Sequence, residues 1–490
     1  MYQEFEMERT SLESQGVNSK GILNFINLIK ERNIKLHTFT LARNGKVICE
    51  IKGFPFEHNY RHVINSCTKT FISLAVGICY DMGLINIDDK VSRYFNVNAK
   101  KNNLQNLTIR HLLTMSVGHD MEPFTNESKP WAERLFDKPL TYPSGSKFHY
   151  NNLASNTLSS IVTAVSGKNV EQLLKESFFD KCGIEDYYWI KDDHNNSLGA
   201  AGLYIKPTDL LKLGQLFLNK GILNGHRIVS EKWIDMATAK QIRTDDVYDA
   251  KKTESTQGYG FQLWKCTHNG YRASGLFGQV CLVLPDKNIV AVFNSSTSGS
   301  QPLLDCFFET IYPYILDEPV KSNYEAVTKI REAEKMLDLK PVVSGSESHY
   351  QQIIDGKELK SIETKKKYKF IFGENEDCIL KIYDDKKYTI FLGKGKYNKI
   401  ESDYDHYMAK INPFYKRLAN RTTAKKPITY GSYGWISNSH LKAVVVNKDY
   451  TAYSYFDFYF DDMYIIVNER IEYNSDGYEN LYYDILEMVK

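Results

Sequence analysis

No stretch of this sequence approaches the eighteen or so consecutive apolar residues that a membrane-spanning helix needs. An excess of charge is also missing. Sixty-two Lys and Arg oppose 60 Asp and Glu among 490 residues, a net +2, which removes the electrostatic case for a nucleic acid or an anionic membrane as partner. The opening residues, Met1-Tyr-Gln-Glu-Phe-Glu-Met-Glu-Arg9, are acidic and hold no apolar signal-peptide core. Cysteines are present (Cys49, Cys67, Cys79, Cys182, Cys266, Cys281, Cys306 and Cys378) but never at Cys-x-x-Cys spacing, and Cys79, Cys281 and Cys306 sit in apolar runs that suit buried free thiols. Internal repeats, low-complexity tracts and phosphate-binding loops are lacking too. These absences predict a reducing, cytoplasmic location, with neither membrane nor nucleic acid as partner.

What is there suits a large core and more than one domain: 42% of residues are hydrophobic and 25% charged. Ser19 can cap a helix that places Ile22, Phe25, Ile26 and Ile29 on one face. Asn44-Gly45 between His37–Arg43 and Lys46–Lys52 predicts a tight hairpin. A helical apolar run, Phe71 to Cys79, comes next. Near the other end of this region Val280–Leu284 and Ile289–Phe293 flank the turn Pro285-Asp-Lys-Asn288. Strands at both ends with helices between predict an α/β domain whose sheet is closed by its first and last elements.

The pattern then shifts. Ser322-Asn-Tyr-Glu325 reads as a capping box opening a helix with Val327, Ile330, Met336 and Leu337 inward. From Tyr368 onward apolar and polar residues alternate, as in Tyr368, Phe370 and Phe372, and again in Phe456, Phe458 and Phe460. Evenly spaced short strands of this kind predict an antiparallel barrel or sandwich, and an aromatic stripe at period two is more often core than a ligand box. The expected division is a first domain over residues 1–320, a helical linker over 321–345 and a β domain over 346–490.

Three stretches carry candidate chemistry. In Ser66-Cys67-Thr68-Lys69 the serine and the lysine lie one turn apart at a helix start. A buried lysine can there act as base, or stabilise a second base, while unpaired N–H groups of the helix N-terminus face an oxyanion. Ser-x-x-Lys arises by chance about twice in a chain this long, and Ser439-His-Leu-Lys442 in a strand-like stretch is such a decoy. Tyr142-Pro-Ser-Gly-Ser-Lys-Phe-His-Tyr150-Asn-Asn152 projects Tyr150 and Asn152 from a loop, where a neighbouring lysine cation favours a phenolate. Tyr478-Glu-Asn480 repeats the Tyr-x-Asn spacing by chance. Ala273-Ser274-Gly275 precedes the Val280 strand and offers small residues along which a substrate can lie.

In this order the three stretches resemble the serine β-lactamase and penicillin-binding-protein superfamily, in particular its class C-type branch of esterases, D-amino-acid peptidases and 6-aminohexanoate-dimer hydrolases. Leu107-Thr-Ile-Arg-His-Leu-Leu-Thr-Met-Ser116 and Gly202-Leu-Tyr-Ile-Lys-Pro-Thr-Asp209-Leu-Leu-Lys-Leu-Gly214 extend the likeness over residues 20–315. It implies an α+β fold, an antiparallel sheet flanked by helices plus an all-helical region. It implies Ser66 as nucleophile forming an acyl-enzyme, Lys69 and Tyr150 sharing the proton transfers with Tyr150 as general base, and Asn152 bonded to Lys69 or substrate. Ala273, Ser274 and Gly275 would line the substrate, and the backbone N–H groups of Ser66 and Leu276 would form the oxyanion hole. No metal or cofactor is needed.

One departure matters. The family's third motif usually begins with lysine or histidine, which helps hold a substrate carboxylate, and here that position is Ala273, with Arg272 or His268 as partial substitutes. The expected substrate is therefore a small ester or amide. Alternatives are a β-lactamase or D-Ala-D-Ala-type peptidase, or a non-catalytic binding or sensor protein on the same fold. Gly434-Trp435, Leu441–Val446 and the Phe456 strand resemble the lipocalin-like barrels appended to some of these hydrolases, which can shape the cleft, bind a ligand or mediate a homo-oligomer.

Overall fold

Asn44 and Gly45 both take left-handed backbone angles, φ 51° and 77°, as a two-residue hairpin turn requires. Strand β1 (Lys35–Arg43) therefore runs straight back into β2 (Lys46–Lys52). The computed structural model describes residues 5–120, 129–249, 253–384, 386–402, 427–472 and 479–488. It forms two compact units, Met1–Lys52 with Glu57–Met336, and Gly53–Phe56 with Leu337–Lys490. Tyr478 of the chance Tyr-x-Asn match lies outside the described residues.

In the first unit, helix α1 (Ser19–Glu31) buries Ile22, Phe25, Ile26 and Ile29 as their spacing predicts. Its cap is Asn18, whose side chain accepts from the Lys20 N–H; Ser19 is already helical and buried. After β2 come α2 (Thr68–Asp81), α3 (Asn152–Ser166) and α4 (Pro207–Leu218). Strands β3 (Trp264–Lys265), β4 (Tyr271–Gly275), β5 (Gln279–Leu284) and β6 (Ile289–Ser296) follow, then α5 (Gln301–Thr310).

The six strands make one antiparallel sheet in the order β2-β1-β6-β5-β4-β3. Its first and last long strands pair at its centre, with Phe39 opposite Phe293. Phe25 of α1 and Phe307 of α5 cover one face, their rings 4.8 Å from Phe39 and 6.1 Å from Phe293. The other face carries α4, where Gly214 lies against Val290 and Cys281. Helix α2 is almost wholly apolar and is buried on all sides from Phe71 to Cys79.

Helix α6 (Tyr324–Glu334) departs from expectation. Its cap is Asn323, accepting from the Ala326 N–H, while Glu325 instead pairs with Lys329 at 2.6 Å. The buried positions are Ala326 and Ala333; Val327 and Met336 are exposed. α6 packs on α1, and alanines permit the close approach that larger side chains would prevent.

The second unit is the β domain. Its strands are β7 (Glu358–Ser361), β8 (Lys367–Phe372), β9 (Asp377–Tyr383), β10 (Lys387–Lys394), β11 (Asn398–Glu401), β12 (Ile428–Ser437), β13 (His440–Asn447), β14 (Tyr453–Phe460), β15 (Tyr464–Glu472) and β16 (Glu479–Glu487). Nine of them close into a barrel, because β10 pairs in parallel with β12 while β11 lies along β12 as an extra strand. The aromatic stripe fills its interior: Phe458 packs 4.9 Å from Phe370 and 5.9 Å from Tyr368. Phe458→Ala should thus cost the barrel about 3–5 kcal/mol, because the cavity cannot collapse around rings held edge to face. Denaturant unfolding followed by barrel tryptophan fluorescence would check this, and an unchanged midpoint would contradict the packing. Among the described residues, no helix is long and apolar enough to cross a membrane.

Candidate active site

Ser66 sits in a single 3-10 turn, Asn65–Cys67, that runs directly into α2. Asn65 adopts a left-handed backbone, φ 45°, and its side-chain amide donates to the Leu276 carbonyl at 2.9 Å. The Thr68 hydroxyl donates back to the Asn65 carbonyl at 2.6 Å. The turn is therefore strapped to the end of β4 before the helix begins. Burial pushes the neighbouring Cys67 thiol well above its ordinary range, so it stays protonated and inert beside Ser66.

Lys69 follows one turn later and is only 1% exposed. Its Nζ donates to Ser66 Oγ at 3.0 Å, Asn152 Oδ1 at 2.8 Å and the Ala200 carbonyl at 2.6 Å. Three acceptors match the three protons of an ammonium. Asn152 is the first residue of α3, which Asn151 caps by accepting from the Ala154 N–H. Tyr150, just before that cap, is half-buried; Lys69 Nζ lies 4.9 Å from its ring centroid, and the ring stacks on Trp264 at 5.9 Å.

The third stretch meets this group through Gly275. A Cβ there would lie 2.4 Å from the Ile64 carbonyl and 3.1 Å from the Ser66 nitrogen, so only glycine lets the end of β4 touch the Ser66 turn. Leu276 follows, 52% exposed. Among the described residues neither the Ser66 nor the Leu276 backbone N–H has a hydrogen-bond partner. A hydroxyl beside a buried lysine, a phenol next to that lysine and two open N–H donors can together support attack on a carbonyl.

The beta-lactamase family model matches residues 37–305, more than half of the chain. The chain belongs to the beta-lactamase family. Among its relatives is the 6-aminohexanoate-dimer hydrolase of Paenarthrobacter ureafaciens, 24% identical over 285 residues that cover 53% of this chain and 72% of that protein. An uncharacterized protein of Alkalihalophilus pseudofirmus is 24% identical over 294 residues, 52% of this chain and 80% of its own. The solved structure of a penicillin-binding protein homolog from Caulobacter crescentus superposes with TM-score 0.50 at 15% identity, covering 60% of this chain and 99% of that one.

At the position of the family's third-motif cation, Arg272 is committed elsewhere. Arg272 is buried and points away from Ala273, as alternation along β4 demands. Its guanidinium donates to the carbonyls of Glu254 (2.5 Å) and Lys265 (3.3 Å) and to Ser255 Oγ (3.2 Å), and lies over the Trp264 ring. His268 is exposed and packs its ring against Phe308 and Tyr312, 4.7 Å and 4.2 Å away. Ala273 itself is buried in the core, and Ser274 is partly exposed.

Sequence reasoning missed three parts of the site. The Ala200 carbonyl has no letter of its own. Trp264 was one aromatic among many. Gln262, buried with φ 62°, joins α2 to α3: its carbonyl accepts from Thr70 Oγ1 at 3.1 Å and its Oε1 from Ser155 Oγ at 2.6 Å. A lone glutamine between apolar residues in Gly260-Phe-Gln-Leu-Trp264 was the available signal.

The segment entering the Ser66 turn holds a buried histidine pair. His62 Nδ1 donates to the Val63 carbonyl at 2.7 Å, so its Nε2 accepts from His37 Nδ1 at 2.9 Å and both rings are neutral. Burial lowers His62 from 6.5 to about 4 and His37 well below its ordinary value. The unfolded chain protonates His62 near pH 6.5 and the folded chain not until about pH 4, so its contribution is complete above pH 6.5 and is lost as pH falls toward 4, with His37 acting in the same direction. Melting temperature should drop across that window, and less steeply in His62→Gln; equal slopes would refute the assignment.

Proposed function

We propose that this protein is a serine hydrolase that cleaves a small ester or amide through an acyl-enzyme on Ser66. The observation that carries the reading is Lys69 Nζ bonded at once to Ser66 Oγ, Asn152 Oδ1 and the Ala200 carbonyl within the buried floor of the site. A lysine ammonium held there favours the phenolate of Tyr150, which takes the Ser66 proton as Oγ attacks the substrate carbonyl carbon. The oxyanion that forms is met by the N–H groups of Ser66 and Leu276. As the tetrahedral intermediate collapses, the bond to the alkoxide or amine breaks and Tyr150 returns the proton to that leaving group. Water then attacks the acyl-enzyme by the same steps in reverse roles and releases the acid.

The third motif supports the substrate class. Ala273 is buried and apolar, and Arg272 is committed to backbone carbonyls on the other side of the strand, so neither residue offers a cation for the carboxylate of a β-lactam or a D-Ala-D-Ala peptide. The test is intact-mass analysis after incubation with a fluorophosphonate, with peptide mapping of the adduct, beside turnover of p-nitrophenyl butyrate and a chromogenic cephalosporin. One adduct on the Ser66 peptide and ester turnover well above cephalosporin turnover are expected. No adduct and no turnover would end the hydrolase reading, and fast cephalosporin turnover would overturn the substrate class.

A further inference from the structure

Asn156 lies one helical turn beyond Asn152 on the same face of α3 and is 2% exposed. Its Oδ1 accepts the backbone N–H of Gly199 and that of Ala200, each at 2.9 Å. The rest of this irregular segment is tied down close by. Ser159 Oγ donates to the Ser197 carbonyl at 2.5 Å, and Trp189 Nε1 donates to the Leu198 carbonyl at 2.9 Å. Gly199 lies so close to α3 that a Cβ would fall 2.1 Å from the Ser155 carbonyl. The two held N–H groups belong to the peptides just before Ala200, and fixing them sets where the next peptide, which carries the Ala200 carbonyl, begins. With both N–H groups turned toward Asn156, the Ala200 carbonyl meets Lys69 Nζ at 2.6 Å.

We propose that Asn156 is a positioning residue for Lys69: by holding the Gly199 and Ala200 N–H groups it fixes the Ala200 carbonyl, which aims the lysine at Ser66. This rests on the reading of Ser66 as nucleophile. Residues four apart on one helix then serve the same lysine in two ways, Asn152 by direct contact and Asn156 through the backbone on either side of the Ala200 Cα. Without Asn156 the segment from 199 to 201, which belongs to no helix or strand, loses the two bonds that orient it. Lys69 would keep Ser66 and Asn152 as partners but could swing about the third, and small misplacements of a catalytic group are costly in rate.

The test is a double-mutant cycle in the full-length protein, with melting temperature as a control for folding. Asn156→Ala should lower kcat on p-nitrophenyl butyrate about 10- to 100-fold with KM within about twofold. Asn156→Asp, whose carboxylate keeps the oxygen that accepts both N–H groups, should recover most of that loss. In a Lys69→Ala background, Asn156→Ala should slow fluorophosphonate labelling by less than about twofold, because the group it positions is gone. Should Asn156→Ala not fold, Asn156→Ser runs the same cycle with a shorter polar side chain. Equal costs with and without Lys69, or no rescue by Asn156→Asp, would overturn the proposal while leaving the hydrolase intact. Wild type that takes up no fluorophosphonate would remove both readings together.

Discussion

Ser66→Ala and Lys69→Met should each lower turnover of a short-chain p-nitrophenyl ester by about 10⁴-fold or more, and the double variant should be scarcely worse than either. The near-equality follows from geometry. Ser66 Oγ and Lys69 Nζ are 3.0 Å apart, and the lysine makes no sense as a packing residue: it is almost fully buried, yet it bonds three polar atoms of the site. Methionine keeps the length of the side chain and its apolar contacts, so Lys69→Met removes the charge without opening a large cavity. Circular dichroism and melting temperature would establish that the variant is folded, and stopped-time labelling with a fluorophosphonate would read the acylation step alone. Additive losses in the double variant would mean that the two side chains act independently, which the shared hydrogen bond does not allow.

Gly275→Ala should be the next most damaging change, through the backbone and with no functional group removed. The added Cβ would stand 2.4 Å from the Ile64 carbonyl and 3.0 Å from the Gln279 Cβ. The first of these neighbours is backbone, which cannot rotate away as a flexible side chain would. Either β4 or the Ser66 turn must move by several tenths of an ångström. That displacement separates the Ser66 N–H from the Leu276 N–H, the pair proposed to hold the oxyanion, and it strains the Asn65–Leu276 bond at 2.9 Å. The expected result is a fall in kcat/KM of about 10²- to 10³-fold, of the size seen when an oxyanion donor is lost, with about 1–3 kcal/mol of lost stability from overpacking. Measuring both in one variant separates the effects. A protein destabilised by that amount but still fully active would place the oxyanion donors elsewhere.

The two local hairpins and the barrel were legible because their signals are short-range. Asn44-Gly45 meets a need for two left-handed residues wherever it stands between strands, and alternation of Phe456, Phe458 and Phe460 with polar residues already separates two faces of a sheet. Helix α6 was misread for the opposite reason. Its buried positions are Ala326 and Ala333 while Val327 and Met336 are exposed, and which face of α6 is covered is decided by the packing against α1 rather than by the letters of α6. Arg272, offered as a partial substitute for the missing cation, lies on the face of β4 opposite Ala273 and Gly275, as strict alternation along the strand places it.

By itself, then, the sequence determined which residues could do chemistry and in what order they come: Ser66 and Lys69 one helical turn apart, Tyr150 and Asn152 on the next loop, and Gly275 before a strand. These are relations between near neighbours, and backbone geometry translates them directly. Only the tertiary structure decided that Lys69 meets Asn152 from 83 residues away and the Ala200 carbonyl from 131, that Asn156 accepts the Ala200 N–H, and that Arg272 is committed to the Glu254 carbonyl. A carbonyl is common to every residue, so nothing in the letters distinguishes the one that a buried lysine will find. The packing of α3 against residues 197–200 makes that choice.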